Sequence, residues 1–324
     1  MASRIRLTMY LNNSKLPYLY KCTDADNAII NRKTHAIAIN IFATSKLQNV
    51  IIATEIRQFY GCFTVDNCKN NPLQSKLHSM LPFFREEELL KPTDLVRTDE
   101  EMPFSMIVTW QSKLLKAIDR KYNCKQISTF RCGLPCPVYE IKVKKEHIGV
   151  VNLPIGAPVS AGFMEEYIVR GVMRFVFVGS AGSLNAANGS SLIVPTQAFR
   201  DEGTSWHYAP HDSQWIDIPS SKKLDSILNE LEVPHICGRV WSTDAFYRET
   251  PSAAKMMKEQ KCLCVDMECA ANMAVAQYRN VQCFQFFFCA DKLEKDIWEI
   301  GRLRNMGKDA YEKYAEIAVS VALS

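Results

Sequence analysis

The run from Gln282 to Cys289, with Phe284-Gln285-Phe286-Phe287-Phe288 at its centre, is apolar at nearly every position. That pattern predicts a strand buried on both faces, and a sheet built from such strands needs helices on either side. The chain supplies them. From about residue 104, strands are predicted at Phe104 to Val108, His147 to Leu153, Phe175 to Val178, Ser191 to Val194 and His235 to Val240. Between and after them, helices are predicted at Ser112 to Lys121, Pro158 to Arg170, Lys222 to Leu231, Glu268 to Tyr278 and Lys308 to Leu323. In the second of these helices Pro158 presets the first turn, Gly171 is placed to stop it, and Val159, Phe163, Met164, Tyr167 and Ile168 form an apolar stripe. The alternation predicts an α/β domain with a mostly parallel sheet.

Residues 1–103 are organised differently. His35 to Phe42 and Val50 to Ala53 read as strands, and Asn70-Asn71-Pro72 as a turn. Arg85 to Pro103 is acidic, punctuated by proline, and reads as a surface connection. This part carries no chemistry above background. It is expected to be an N-terminal extension, either a small α+β region or an oligomerisation element, ahead of a domain at 104–324.

Composition narrows the partners. The net charge of +4 over 324 residues, without a Lys/Arg block, gives no footprint for nucleic acid. No apolar run approaches the ~18–20 residues that span a bilayer, and Arg4 and Arg6 interrupt the first eleven residues where a secretory leader would be apolar. The twelve cysteines show no zinc or redox spacing; Cys132 and Cys136, or Cys262 and Cys264, do not make a CxxC pair. No metal is expected, and free thiols point to the cytoplasm.

Four irregular segments sit beside the apolar runs, where an α/β fold presents ligand groups. Gly179-Ser180-Ala181-Gly182-Ser183 follows a strand. Its small residues let backbone N–H groups approach an anion, although a tight turn explains it equally well. Arg200 to Ser205 and Thr243 to Thr250 follow; in the latter, Phe246 and Tyr247 either stack on a planar base or simply pack. Asp266-Met267-Glu268 opens a helix. There Glu268 serves as a cap, or as a bidentate acceptor for a diol such as the ribose hydroxyls. Asp291, just beyond the phenylalanine run, is a candidate general acid or a solvated loop residue.

The order of Gly-Ala-Pro at 156–158, Gly-Ser-Ala-Gly at 179–182, Arg-Asp-Glu-Gly-Thr-Ser-x-His-Tyr-x-Pro at 200–210, Ser-Thr-Asp-Ala-Phe-Tyr-Arg-Glu-Thr at 242–250 and Asp-Met-Glu at 266–268 resembles the nucleoside phosphorylase superfamily. Its uridine phosphorylase-like and hexameric purine nucleoside phosphorylase-like members are the most similar, over about residues 104–324. The resemblance implies a twisted central sheet flanked by helices. It also implies cleavage of a purine or pyrimidine nucleoside by inorganic phosphate, with no other cofactor, in a homodimer or ring of dimers. By position, Gly179, Ser180 and Gly182 would line the phosphate, Met267 would lie under the ribose and Glu268 would hold its hydroxyls. Phe246 would face the base, with Tyr247, Arg200 and Arg248 near the pocket, and Asp291 would protonate a purine leaving group.

The chain departs from this pattern where phosphate should bind. The Gly-Asp-Pro-x-x-Arg segment is missing; Thr109-Trp110-Gln111-Ser112-Lys113 stands in its place, with Lys113 as the candidate substitute. Phe177 occupies the position of a second arginine. Two absent guanidiniums remove the bidentate partners of a phosphate dianion. Three activities are therefore compatible with the chain: a nucleoside phosphorylase, a phosphate-independent nucleosidase, and a non-catalytic nucleoside-binding relative.

Overall fold

The computed structural model describes residues 7–11, 14–18, 81–99, 101–184, 192–294, 297–299 and 306–324. The strands expected at 35–42 and 50–53, and the turn at 70–72, lie outside these residues. The chain divides into two compact units, Met1–Lys76 and Leu77–Ser324. In the first, β1 (Leu7–Leu11) and β2 (Ser14–Tyr18) pair antiparallel.

The second unit carries an 11-stranded mixed sheet with helices on both faces. Its core strands are β3 (Ser105–Thr109), β7 (Arg174–Ser183), β8 (Leu192–Asp201), β10 (His235–Thr243), β11 (Cys262–Asp266) and β12 (Gln282–Glu294). β12 pairs with β7 in parallel and, at Phe287 and Phe288, with β8 antiparallel. The path from β12 through β8, β10 and β11 to β7 thus returns to β12, so five strands close into a barrel. This corrects the expected twisted, mostly parallel sheet: the sheet closes and mixes parallel with antiparallel pairs. From β7 an arm continues through β3 and β6 (Glu146–Asn152) to the hairpin of β5 (Leu134–Val143) and β4 (Lys125–Cys132), whose pairing is antiparallel.

The phenylalanine run explains why closure is stable. Cys283 and Phe287 enter one hydrophobic cluster while Phe284, Phe286 and Phe288 enter the other, so alternate side chains of one strand fill two cores. Truncating any of these rings would cost about 3–5 kcal/mol. The first core is covered by α3 (Ala157–Ile168) and α6 (Cys269–Arg279). The second is covered by α2 (Ser112–Tyr122), α4 (Ser221–Glu230) and α7 (Lys308–Leu323). A short helical turn, α1 (Pro92–Leu95), and α5 (Pro251–Glu259) complete the set. The stretch before β3 is tied down: Arg279 binds Glu88 at 2.6 Å and Glu165 at 2.9 Å.

Candidate active site

One motif segment lies inside a strand and another is scaffold. Gly179 to Ser183 belongs to β7 itself rather than to a turn after it. Arg200, the penultimate residue of β8, has 3% of its surface exposed and directs all five donors at its own loop. Nε donates to Ser205 Oγ at 3.0 Å, Nη1 to the carbonyls of Pro210 and Ser213, and Nη2 to those of Ser205 and Ala209. Its guanidinium stacks on Trp206 at 3.7 Å. An arginine so saturated holds the 200–213 loop and has no donor left for a substrate. Asp244 adds a second tie, accepting from the Gly203 N–H at 2.8 Å.

The Asp266-Met267-Glu268 turn behaves differently. Asp266 caps α6, accepting from the N–H groups of Glu268 and Cys269 at 2.8 and 2.6 Å and from Ser242 Oγ at 2.6 Å. Capping is therefore done by Asp266, and the Glu268 side chain makes no cap bond. Glu268 instead accepts from the backbone, from the N–H of Gly156 at 2.6 Å and more weakly from that of Met267. Gly156 has φ of 121°, a conformation only glycine adopts without strain, which accounts for the first residue of the Gly-Ala-Pro segment. Burial, followed by the neighbouring Asp266, pushes Glu268 up to about 8. Desolvation also raises Asp266, to about 6, against the pull of its hydrogen bonds.

A buried chain of amides holds this turn. Ser160 Oγ donates to Asn272 Oδ1 at 2.6 Å, Asn272 Nδ2 to Gln285 Oε1 at 3.1 Å, and Gln285 Nε2 to the Cys269 carbonyl at 3.1 Å. α3, α6 and β12 are thereby locked at the point where Glu268 emerges.

Glu268 opens on a cavity of about 320 Å³, within the ~300–1,000 Å³ typical of small-molecule sites. The carboxyl ends of β7 and β11 supply Ser180, Ala181, Gly182, Val265 and Asp266; Met267 and Glu268 follow, and Ile155, Phe246 and Glu249 close the sides. Trp110 and Gln111, at the start of α2, form the remaining wall. A larger cleft of about 770 Å³, lined by Arg97, Arg131 and Arg170 among others, contains none of the motif residues.

Of the expected site residues, Ser180, Gly182, Phe246, Met267 and Glu268 meet in this cavity. Asp291 lies within β12, at the register position opposite Gly182. Tyr247, 89% exposed, and Arg248 do not line the cavity. Lys113 points its Nζ at the Tyr311 ring, 5.9 Å from the centroid, and does not line the cavity. Gly179 is covered by the Trp110 indole: a Cβ there would lie 2.8 Å from its ring. That indole stacks on Phe177 at 5.9 Å, and Phe177 on Phe175 at 6.0 Å. An aromatic column thus runs from the cavity wall into the core, and no Lys, Arg or His lines the cavity among the described residues. Sequence reading passed over two groups: Gln111, whose Nε2 donates to Ser180 Oγ at 2.8 Å, and Trp110, whose Nε1 is buried without a described partner. Their position after a strand was the available signal.

A family model for the phosphorylase superfamily matches residues 108–321. A guanosine phosphorylase of Halorubrum lacusprofundi is 29% identical over 139 residues, 41% of this chain and 56% of that protein. In three of the curated relatives it matches, the aligned part spans between 56% and 58% of their own length. A Vibrio fischeri uridine phosphorylase structure superposes with a TM-score of 0.59 at 21% identity, covering 74% of this chain and 99% of that one. A Helicobacter pylori MTAN variant with 5'-methylthioadenosine in its active site gives 0.56 at 19%, covering 68% and 97%. With barrel, turn and cavity in agreement and the family model spanning most of the second unit, the chain belongs to the phosphorylase superfamily.

Proposed function

We propose that the chain cleaves the N-glycosidic bond of a nucleoside seated in this cavity, with water as the acceptor. The observation that carries the reading is Glu268, a buried carboxyl met only by backbone N–H groups and left at a cavity wall. Its oxygens hold two sugar hydroxyls and, when ionised, face the positive charge that develops on the ribosyl ring as the base departs. Met267 packs under the sugar and Phe246 against the base. Asp291, opposite Gly182 in register, protonates the leaving base. Gln111 and Ser180, bonded to each other at 2.8 Å, position the acceptor.

Water is favoured because a phosphate dianion would enter a cavity with three acidic side chains, Glu249, Asp266 and Glu268, and no cation among the described residues. Phosphorolysis is the second reading, supported by the likeness to guanosine and uridine phosphorylases. A cytoplasmic location and assembly as a homodimer or ring of dimers belong to the same proposal. No helix among the described residues is long and apolar enough to cross a membrane.

Product analysis on a panel of purine and pyrimidine nucleosides, with and without inorganic phosphate, tests the reading. Free base plus ribose in both conditions is expected. Ribose 1-phosphate formed only with phosphate would establish the second reading, and no release from any nucleoside would overturn both.

A further inference from the structure

β10 carries a second cluster at its opposite end. Four residues, 231–234, join α4 to β10, with Glu232 at φ of 53° and the Val233 N–H bonded back to the Leu228 carbonyl. This tight return lays the start of the strand along the helix. His235 and Cys237, two residues apart on a strand, share one face. Asp225 meets them from α4: its Oδ1 lies 2.8 Å from His235 Nε2 and 3.3 Å from Cys237 Sγ. The three candidate ligand atoms all fall within 4.8 Å of one another. Ligands in a tetrahedral zinc site are separated by roughly 3.3–3.6 Å, so small rotations suffice to converge.

We propose that Asp225, His235 and Cys237 bind a divalent transition-metal cation of the zinc class, clamping α4 to the start of β10. A mixed oxygen, nitrogen and sulfur set selects such a cation over magnesium or calcium. The backbone fixes the imidazole for this role: His235 Nδ1 lies 2.8 Å from the Val233 carbonyl, and the hydrogen bond it donates there leaves Nε2 facing Asp225. The cation takes the Nε2 lone pair and replaces the proton on Sγ, which is released. One carboxylate, one thiolate and one dication sum to zero charge. His235 is nearly buried, with 6% of its side chain exposed, whereas Asp225 and Cys237 reach solvent and leave access for the ion and a water as fourth ligand. Six residues of strand, roughly 20 Å at ~3.3 Å each, separate Cys237 from the far end of β10 at Thr243. The cation therefore acts on stability and not on the reaction.

The test uses the full chain after chelator treatment. Cobalt(II) titration is expected to give one equivalent bound with a thiolate-to-cobalt charge-transfer band, displaced by zinc, and zinc is expected to raise Tm by several degrees. Cys237→Ser should abolish the band and the Tm rise while melting like the wild type in chelator, and His235→Gln should weaken binding at least ~100-fold. A band that survives Cys237→Ser, or a wild type whose Tm ignores zinc, would overturn the proposal. Nucleoside cleavage should be unchanged in both variants, so the outcome is independent of the proposed activity.

Discussion

The loop that carries Arg200 and the turn that carries Glu268 begin from the same chemistry, a charged side chain with 3% and 5% of its surface exposed. They resolve it in opposite ways. Arg200 meets four main-chain carbonyls and a hydroxyl, so its charge is dispersed over a loop that has no other means of closing. Glu268 meets only the N–H groups of Gly156 and Met267 and is otherwise left at a cavity wall, beside an Asp266 whose own oxygens are taken. A saturated buried charge organises backbone; an unsaturated one is held in readiness for a ligand. Position in a motif does not separate the two roles, whereas the tally of hydrogen bonds does.

The sharpest way to break this contrast is truncation on each side. Glu268→Ala is expected to lower kcat/KM for nucleoside cleavage by about 10²–10³-fold with the melt still cooperative. Steady-state turnover beside a thermal scan checks it, and unchanged turnover would remove Glu268 from the site. Arg200→Met should do the reverse. Five bonds are lost and four carbonyls are left to find other partners, so urea denaturation should show a loss of about 3 kcal/mol, with kcat/KM per folded molecule within a few-fold of wild type. If Arg200→Met instead left stability intact and abolished turnover, the loop would be part of the site.

Much of this was legible in the sequence, for identifiable reasons. The phenylalanine run marks a strand with two buried faces because periodicity reports burial directly, and the structure sends Phe286 and Phe287 into different cores. Closure of the barrel was not legible, since it rests on the Phe287 and Phe288 pairing with Ile193 and Leu192, a contact across some ninety residues that leaves no local pattern. The Glu268 turn was found through its motif, but the choice between capping and ligand holding depends on where two carboxyl groups point. The same limit applied to Arg200, Arg248 and Lys113, whose charge is visible in sequence and whose direction is not. Gln285 was hidden inside the apolar run, although a lone amide in such a strand signals a buried polar network. The Asp225, His235 and Cys237 cluster escaped because cysteine spacing alone was considered, and its ligands come from a helix and a strand.

A subtler probe changes Glu268 without emptying its place. Its carboxyl is raised from 4.5 to about 8 in the folded chain, so the folded state keeps a proton that the unfolded state releases. Stability must then fall as pH climbs from about 4.5 to about 8 and level off above, because deprotonation favours the unfolded side. Glu268→Gln, which still accepts from Gly156, should remove this slope. The variant is expected to match wild type near pH 4.5 and to exceed it by about 2 kcal/mol above pH 8, given some water access from the cavity. Asp266 imposes a further fall toward pH 6 in both proteins, so only the difference between the two curves is diagnostic. Parallel curves from urea denaturation across pH 4–9 would mean that Glu268 is already ionised in the fold.

The smallest expected effect tests whether the turn is held from behind. Ser160→Ala removes the hydroxyl that donates to Asn272 and leaves the amide oxygen buried, at a cost of about 1 kcal/mol. Asn272 still binds Gln285, and Gln285 the Cys269 carbonyl, so α6 should loosen rather than detach. Glu268 follows Asp266 by only two residues and begins that helix, which makes its aim sensitive to such loosening. The outcome expected is a KM raised by a few-fold with kcat nearly constant, read beside the denaturation midpoint. A stability loss with KM unmoved would show that the Asp266 cap alone fixes the turn, and would confine the amide chain to packing.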